Sequence, residues 1–220
     1  MRETDLASFP KEKIIFISFE GIEGCGKSTQ VDKISKYLKS NTNYNVHKFR
    51  EPGGTEFGEG LRKTMLDSKN AICPLSEAHL FASSRCQLLT EKVIPLLNKS
   101  DNIIIYDRYV HSSIAYQGFG SGLGNSVIEK IHSEYPLNII PHLTIYFKID
   151  VETSNLRQKK RNQSKDYFES KSDEYYQNIL KGFIYCENKY ENFKTIDGTL
   201  SEEEVYRNVL NLIRNLIDEK

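Results

Sequence analysis

The stretch Gly21-Ile22-Glu23-Gly24-Cys25-Gly26-Lys27-Ser28 has the spacing G-x-x-x-x-G-K-S, which suits it to holding the phosphates of a nucleotide. Its glycines let the chain curl around an anion so that successive backbone N–H groups converge on it. Lys27 then reaches the β- and γ-phosphates, the Ser28 hydroxyl can ligate Mg²⁺, and Thr29 completes the phosphate-binding set. Asp107 ends the apolar run Ile103-Ile104-Ile105-Tyr106. A carboxylate at a strand end beside a phosphate loop can hold Mg²⁺ directly or through water. Arg108, next to it, can grip a phosphate bidentately or stabilise charge during transfer, with a purely structural Asp–Arg pair as the alternative. A third group, Arg50-Glu51-Pro52-Gly53-Gly54-Thr55, sets a cation before residues that allow close ligand approach, and reads equally well as a turn.

Two further groups point to a second ligand. Phe81 and Arg85 lie four residues apart in a helical pattern, so they share a face. A ring that stacks on a base, one turn from a guanidinium that bonds a base carbonyl, makes a nucleobase pocket. Taken singly, Phe81 reads as core and Arg85 as solvated. Ser112-Ser113-Ile114-Ala115-Tyr116-Gln117-Gly118 offers hydroxyl, phenol and amide groups suited to a base edge and a sugar. Its plainer reading is a helix N-terminus capped by serine.

These groups need elements that bring them together. Ile14 to Glu20, Tyr44 to Phe49, Asp101 to Asp107, Leu143 to Ile149 and Phe193 to Ile196 read as strands. Their centres are apolar runs rather than alternations, the pattern of strands covered on both faces. Thr29 to Leu38, Leu75 to Asn98 and a stretch from Ser201 read as helices. Ser201 with Glu204 forms a capping box, and Val205, Val209, Leu212, Ile213, Leu216 and Ile217 form the apolar stripe of the last helix. The expectation is an α/β fold: a doubly wound, five-stranded parallel sheet flanked by helices, with ligands at the carboxyl ends of the strands.

The chain has 220 residues, 30 basic and 30 acidic, so its formal charge is zero and any electrostatics that matters is local. No single-sign block suggests nucleic acid or a membrane surface as a partner. Cys25, Cys73, Cys86 and Cys186 are widely spaced, as in a reduced, cytoplasmic protein. Residues 1–12 read as a polar N-terminal tail without a signal peptide's apolar core, and 13–220 as a single domain. No apolar stretch approaches the ~20 residues of a membrane helix.

The phosphate loop, Arg50 to Thr55, Leu80-Phe81-Ala82-Ser83-Ser84-Arg85, and Asp107-Arg108-Tyr109 through Gly118, in this order and spacing, resemble the bacterial thymidylate kinases. The resemblance runs from about Ile14 to the final helix and implies a P-loop nucleoside monophosphate kinase architecture. It implies phosphoryl transfer from ATP-Mg²⁺ to dTMP, giving dTDP and ADP, by a homodimer. It places Phe81 on thymine, Arg85 at its O4, Ser113 and Gln117 near the base edge, and Tyr116 where a 2′-hydroxyl would project. Glu23 approaches the 3′-hydroxyl, and Arg50, Arg62 and Arg108 surround the acceptor phosphate, with Pro52 and Ser112 also on the dTMP side.

Leu156 to Asp166 alone is a charge run at a solvated helix end. The resemblance makes about 156–168 a lid, with Arg157 or Arg161 as its catalytic cation. Family lids often read Asp-Arg-x-Glu where this chain has Asp166-Tyr167-Phe168-Glu169. The competing enzyme reading is a kinase for another acceptor, such as dUMP or a deoxynucleoside. A P-loop regulatory switch is the reading from another class, and the chain lacks N-K-x-D and a D-x-x-G after the third strand.

Overall fold

The computed structural model describes residues 14–68, 71–160 and 171–218. The tail at 1–12, Arg161, and the lid segment from 161 onward lie outside the described residues. Five strands, β1 (Ile14–Glu20), β2 (Asn45–Arg50), β3 (Asn102–Asp107), β4 (Leu143–Lys148) and β5 (Phe193–Asp197), form one sheet in the order β2-β3-β1-β4-β5. Every pairing is parallel. Alternate residues of β1 point to opposite faces. Ile15, Ile17 and Phe19 enter one core with Ile103 and Ile105, while Ile14 and Phe16 enter another with Ile104 and Tyr106. That two-sided burial is why the strand reads as an unbroken apolar run.

Register fixes where the chemistry collects. Phe19 pairs with Asp107, and Asp107 pairs with Arg50 on its other side. The loop after β1, the carboxylate ending β3 and the arginine ending β2 therefore stand side by side. β1 lies between β3 and β4, where the strand order reverses and open α/β sheets form their ligand crevice.

Helices complete the layers. α1 (Lys27–Asn41) starts at Lys27, earlier than the apolar periodicity from Thr29 indicates, because the phosphate loop runs directly into its first turn. α2 (Glu56–Leu66) begins at Thr55, whose side chain accepts from Gly58 N–H. The pattern from Leu75 to Asn98 is not one regular helix. α3 (Pro74–Leu88) passes through a π-helical turn at Leu89–Val93 into α4 (Ile94–Leu97). After β3, α5 (Val110–Ser113) opens a second π-helical turn, Ile114–Gly120. No serine caps α5; Ser112 and Ser113 lie within it. α6 (Asn125–Ile131), α7 (Val151–Lys160), α8 (Asp173–Lys189) and α9 (Glu202–Asp218) follow. The capping box forms: Glu204 N–H donates to Ser201 Oγ, and Ser201 N–H to Glu204 Oε2.

α8 packs against the turn that carries Tyr116 and Gln117. Gly182 makes this approach possible: a Cβ there would lie 2.6 Å from the Ala115 Cα. Gly182→Ala is expected to destabilise the fold by about 1–3 kcal/mol through overpacking, read as a lower urea midpoint at unchanged slope.

Candidate active site

The phosphate loop is shaped by its glycines and closed by its own lysine. Gly26 stands before α1 at φ 95°, and a Cβ on Gly21 would come within 2.8 Å of Cys25 Sγ and of the Phe147 carbonyl. Ile22 and Cys25 are buried and anchor the loop to the core. Lys27 Nζ donates to the carbonyls of Gly21 and Ile22 at 2.8 and 3.1 Å, and lies 3.4 Å from Cys25 Sγ. Ser28 Oγ donates to Asp107 Oδ2 at 2.7 Å. A hydroxyl and a carboxylate at that separation are the hard oxygen donors Mg²⁺ prefers. Among the described residues no group of three His, Cys, Asp or Glu side chains could hold a metal. An ion here would complete its shell from phosphate and water, as Mg²⁺ commonly does.

Beside the loop, Arg108 adopts φ 71°, uncommon for a residue with a side chain. Its backbone N–H bonds the Phe19 carbonyl, Nη1 donates to the Gly21 carbonyl at 2.9 Å, and Nη2 donates to Glu23 Oε1 at 2.6 Å. Its guanidinium lies over the Tyr116 ring, and Tyr116 Oη donates to Glu23 at 3.0 Å. Burial pushes the Glu23 carboxyl up, but Arg108 and Lys27 outweigh it and leave Glu23 below the usual range. Glu20, fully buried at the end of β1, holds this corner from behind. It accepts from Tyr109 N–H at 2.8 Å and from Ser112 Oγ at 2.5 Å. Burial raises its carboxyl to about 7, although Ser112 and Arg108 act the other way. His111, 4.0 Å away, is driven down to about 3 by burial and stays neutral.

Two adjoining cavities meet at this corner. One is lined by loop residues Gly24, Gly26, Lys27, Ser28 and Thr29 with Arg50, Asp107 and Arg108. The other is lined by Pro52, Met65, Leu66, Phe81, Arg85, Ser112, Ser113, Tyr116 and Gln117. Glu23, Glu51, Arg62 and Arg108 line both. Arg50 and Arg62 converge on the Pro52 carbonyl, at 3.3 and 3.4 Å. A sequence model described as thymidylate kinase matches residues 19–209. The chain belongs to the thymidylate kinase family.

Curated relatives agree over nearly the whole length. The thymidylate kinase of Thermoanaerobacter sp. (strain X514) is 36% identical over 203 residues, covering 92% of this chain and 98% of that protein. That of Acholeplasma laidlawii is 38% identical over 206 residues, covering 92% and 100%. The crystal structure of thymidylate kinase from Ehrlichia chaffeensis superposes with a TM-score of 0.74 at 26% identity, covering 91% of this chain and 98% of that one.

Within this thymidylate kinase fold, Arg85 is not solvated but 1% exposed. Its Nε donates to Glu51 Oε2 at 2.7 Å, Nη2 lies 2.5 Å from the same oxygen, and Nη1 meets Ser113 Oγ at 3.1 Å and His132 Nε2 at 2.5 Å. His132 Nδ1 sits 2.8 Å from the Ile128 carbonyl, so that nitrogen carries the proton and Nε2 accepts from Arg85. Burial drives this imidazole down to about 3, which keeps it neutral. Arg157 lines neither cavity but touches the wall of the loop cavity: its Nη1 donates to the carbonyls of Gly24 and Gly198, bracing the loop against the turn after β5. Sequence reasoning missed Glu20, Glu77 and His132, and passed over Glu51 within a motif it had marked. It also missed Met65 and Leu66, the apolar floor.

Proposed function

We propose that the Phe81–Arg85 cavity holds dTMP, that the loop cavity holds the phosphates of ATP, and that the shared corner is where the γ-phosphoryl group crosses to give dTDP and ADP. One observation carries this reading: Glu23, Arg62 and Arg108 belong to both cavities, so a phosphate at the mouth of one faces a phosphate in the other. Two anions approach only if their charge is neutralised, and Lys27, Arg50, Arg62 and Arg108 surround that point. The acceptor phosphate is largely ionised near neutral pH, so the reaction needs no strong general base. Catalysis is positioning plus electrostatic stabilisation, with no protein nucleophile. Ser28 and Asp107 would hold Mg²⁺, which supplies charge neutralisation at the β- and γ-oxygens when bound.

In the second cavity Phe81 stacks on thymine, Arg85 donates to O4, and Ser113 and Gln117 lie at the base edge. Tyr116, packed by Arg108 and bonded to Glu23, stands against the sugar. The reading includes a lid about 156–168. It also includes a cytoplasmic homodimer, the cytoplasm supported by four free cysteines and the dimer by the family resemblance. No helix among the described residues is long and apolar enough to cross a membrane. A coupled ADP-release assay with ATP-Mg²⁺ and dTMP, dUMP, dCMP, dGMP, UMP or thymidine tests the assignment. Strong turnover with dTMP, less with dUMP and little with the others is expected; preference for another acceptor overturns the base pocket.

A further inference from the structure

We propose that Glu77 is the residue that fixes which end of the Gln117 amide faces the base, and so makes the pocket select a pyrimidine bearing N3–H. The inference rests on the second cavity being the dTMP site. Glu77, Phe81 and Arg85 recur at four-residue spacing and so share one face of α3. Glu77 is 2% exposed and Gln117 1% exposed, and Gln117 Nε2 donates to Glu77 Oε1 at 2.9 Å.

A primary amide has a donor end and an acceptor end, and rotating it by half a turn exchanges them at little cost unless a neighbour discriminates. Glu77 Oε1 accepts from the donor end of this amide, and so distinguishes one end from the other. With Nε2 committed to Glu77, the amide's other end, Oε1, serves the cavity that Gln117 lines. Arg85 beside it has only donors. The pocket floor thus shows a donor next to an acceptor. Thymine and uracil answer with O4 and N3–H, whereas cytosine shows an amino group and a bare N3, mismatched at both points. An amide free to turn would satisfy cytosine N3 and surrender half of that discrimination. Glu77 touches no substrate in this scheme; it is a positioning residue.

The test compares kcat and KM for dTMP and dCMP in the wild-type enzyme, in Glu77→Gln, and in the exchanged pair Glu77→Gln with Gln117→Glu. An amide at 77 accepts from Gln117 Nε2 in one orientation and donates to Gln117 Oε1 in the other, so E77Q unlocks Gln117. The expected result is a dTMP kcat within about threefold of wild type and a dTMP-over-dCMP preference in kcat/KM lowered about tenfold. In the exchanged pair the carboxylate stands at 117, offers the base only acceptors, and restores the preference to within about threefold of wild type. A merely structural glutamate would not produce that recovery. E77Q that unfolds with normal cooperativity yet keeps the wild-type preference overturns the proposal, as does an exchanged pair no more selective than E77Q. If E77Q does not fold, the exchanged pair is read alone: full preference supports the lock and lost preference overturns it. Failure of the wild-type enzyme to use dTMP at all would instead refute the pocket assignment.

Discussion

Lys27→Ala is expected to lower kcat/KM for dTMP phosphorylation by about a thousandfold or more, the largest loss from a single side chain in this protein. The ammonium is buried and donates to the Gly21 and Ile22 carbonyls. Truncation removes the charge proposed to meet the β- and γ-phosphates and also the donor that holds the loop's carbonyls. Lys27→Arg is expected to stay nearly inactive, because a planar fork cannot occupy a site built for a compact ammonium on a flexible stem. ADP release with dTMP reads the effect, and urea unfolding separates it from collapse of the fold. A Lys27→Ala enzyme that keeps a tenth of wild-type turnover would remove Lys27 from the transfer step.

Arg85→Leu is expected to damage both stability and substrate recognition. The side chains of Arg85 and Glu51 are 1% and 3% exposed. Removing one partner of such a pair costs about 3–5 kcal/mol, because a buried charge is left alone. Against a typical domain stability of roughly 5–15 kcal/mol, that is a large share. The deficit depends on pH in a defined direction. Burial already holds the Glu51 carboxyl above its ordinary 4.5, with Arg85 opposing the rise. Without Arg85 the rise is larger, so the folded variant binds a proton that the unfolded chain does not. Stability then falls as pH increases from the unfolded carboxylate value through the raised folded one. Urea unfolding at pH 5 and pH 7 should show a smaller deficit at pH 5, and equal deficits would mean Glu51 finds another partner. KM for dTMP should rise even at pH 5, because the donor proposed for O4 is gone.

The phosphate loop and β1 are readable from sequence because their code is contiguous: an apolar run, then glycines, lysine and serine at set intervals. Phe81 and Arg85 are readable as a pair through helical spacing alone. What supports them is not. Glu51, Ser113 and His132 reach Arg85 from 34, 28 and 47 residues away. In a sequence, a glutamate destined for the core looks like one destined for water; only the fold distinguishes Glu20, Glu51 and Glu77 from their solvated counterparts. The π-helical turn at Leu89–Val93 escapes for another reason, since an apolar pattern tolerates one extra residue that shifts the helix phase. Arg157 reads alone as part of a solvated charge run, and the two backbone carbonyls that hold it against the loop come from segments far from it in the chain.

Arg108 and Arg50 are each held by a carboxylate of the chain itself, Glu23 and Glu59. On the proposed reading, an arriving phosphate finds a partnered cluster and takes these arginines in exchange. A doubly charged phosphate competes for such cations better than a singly charged buffer ion does, since its Coulomb attraction to each arginine is about twice as large. The dependence of dTMP affinity on ionic strength should accordingly be shallower than the number of arginines around the phosphate would suggest.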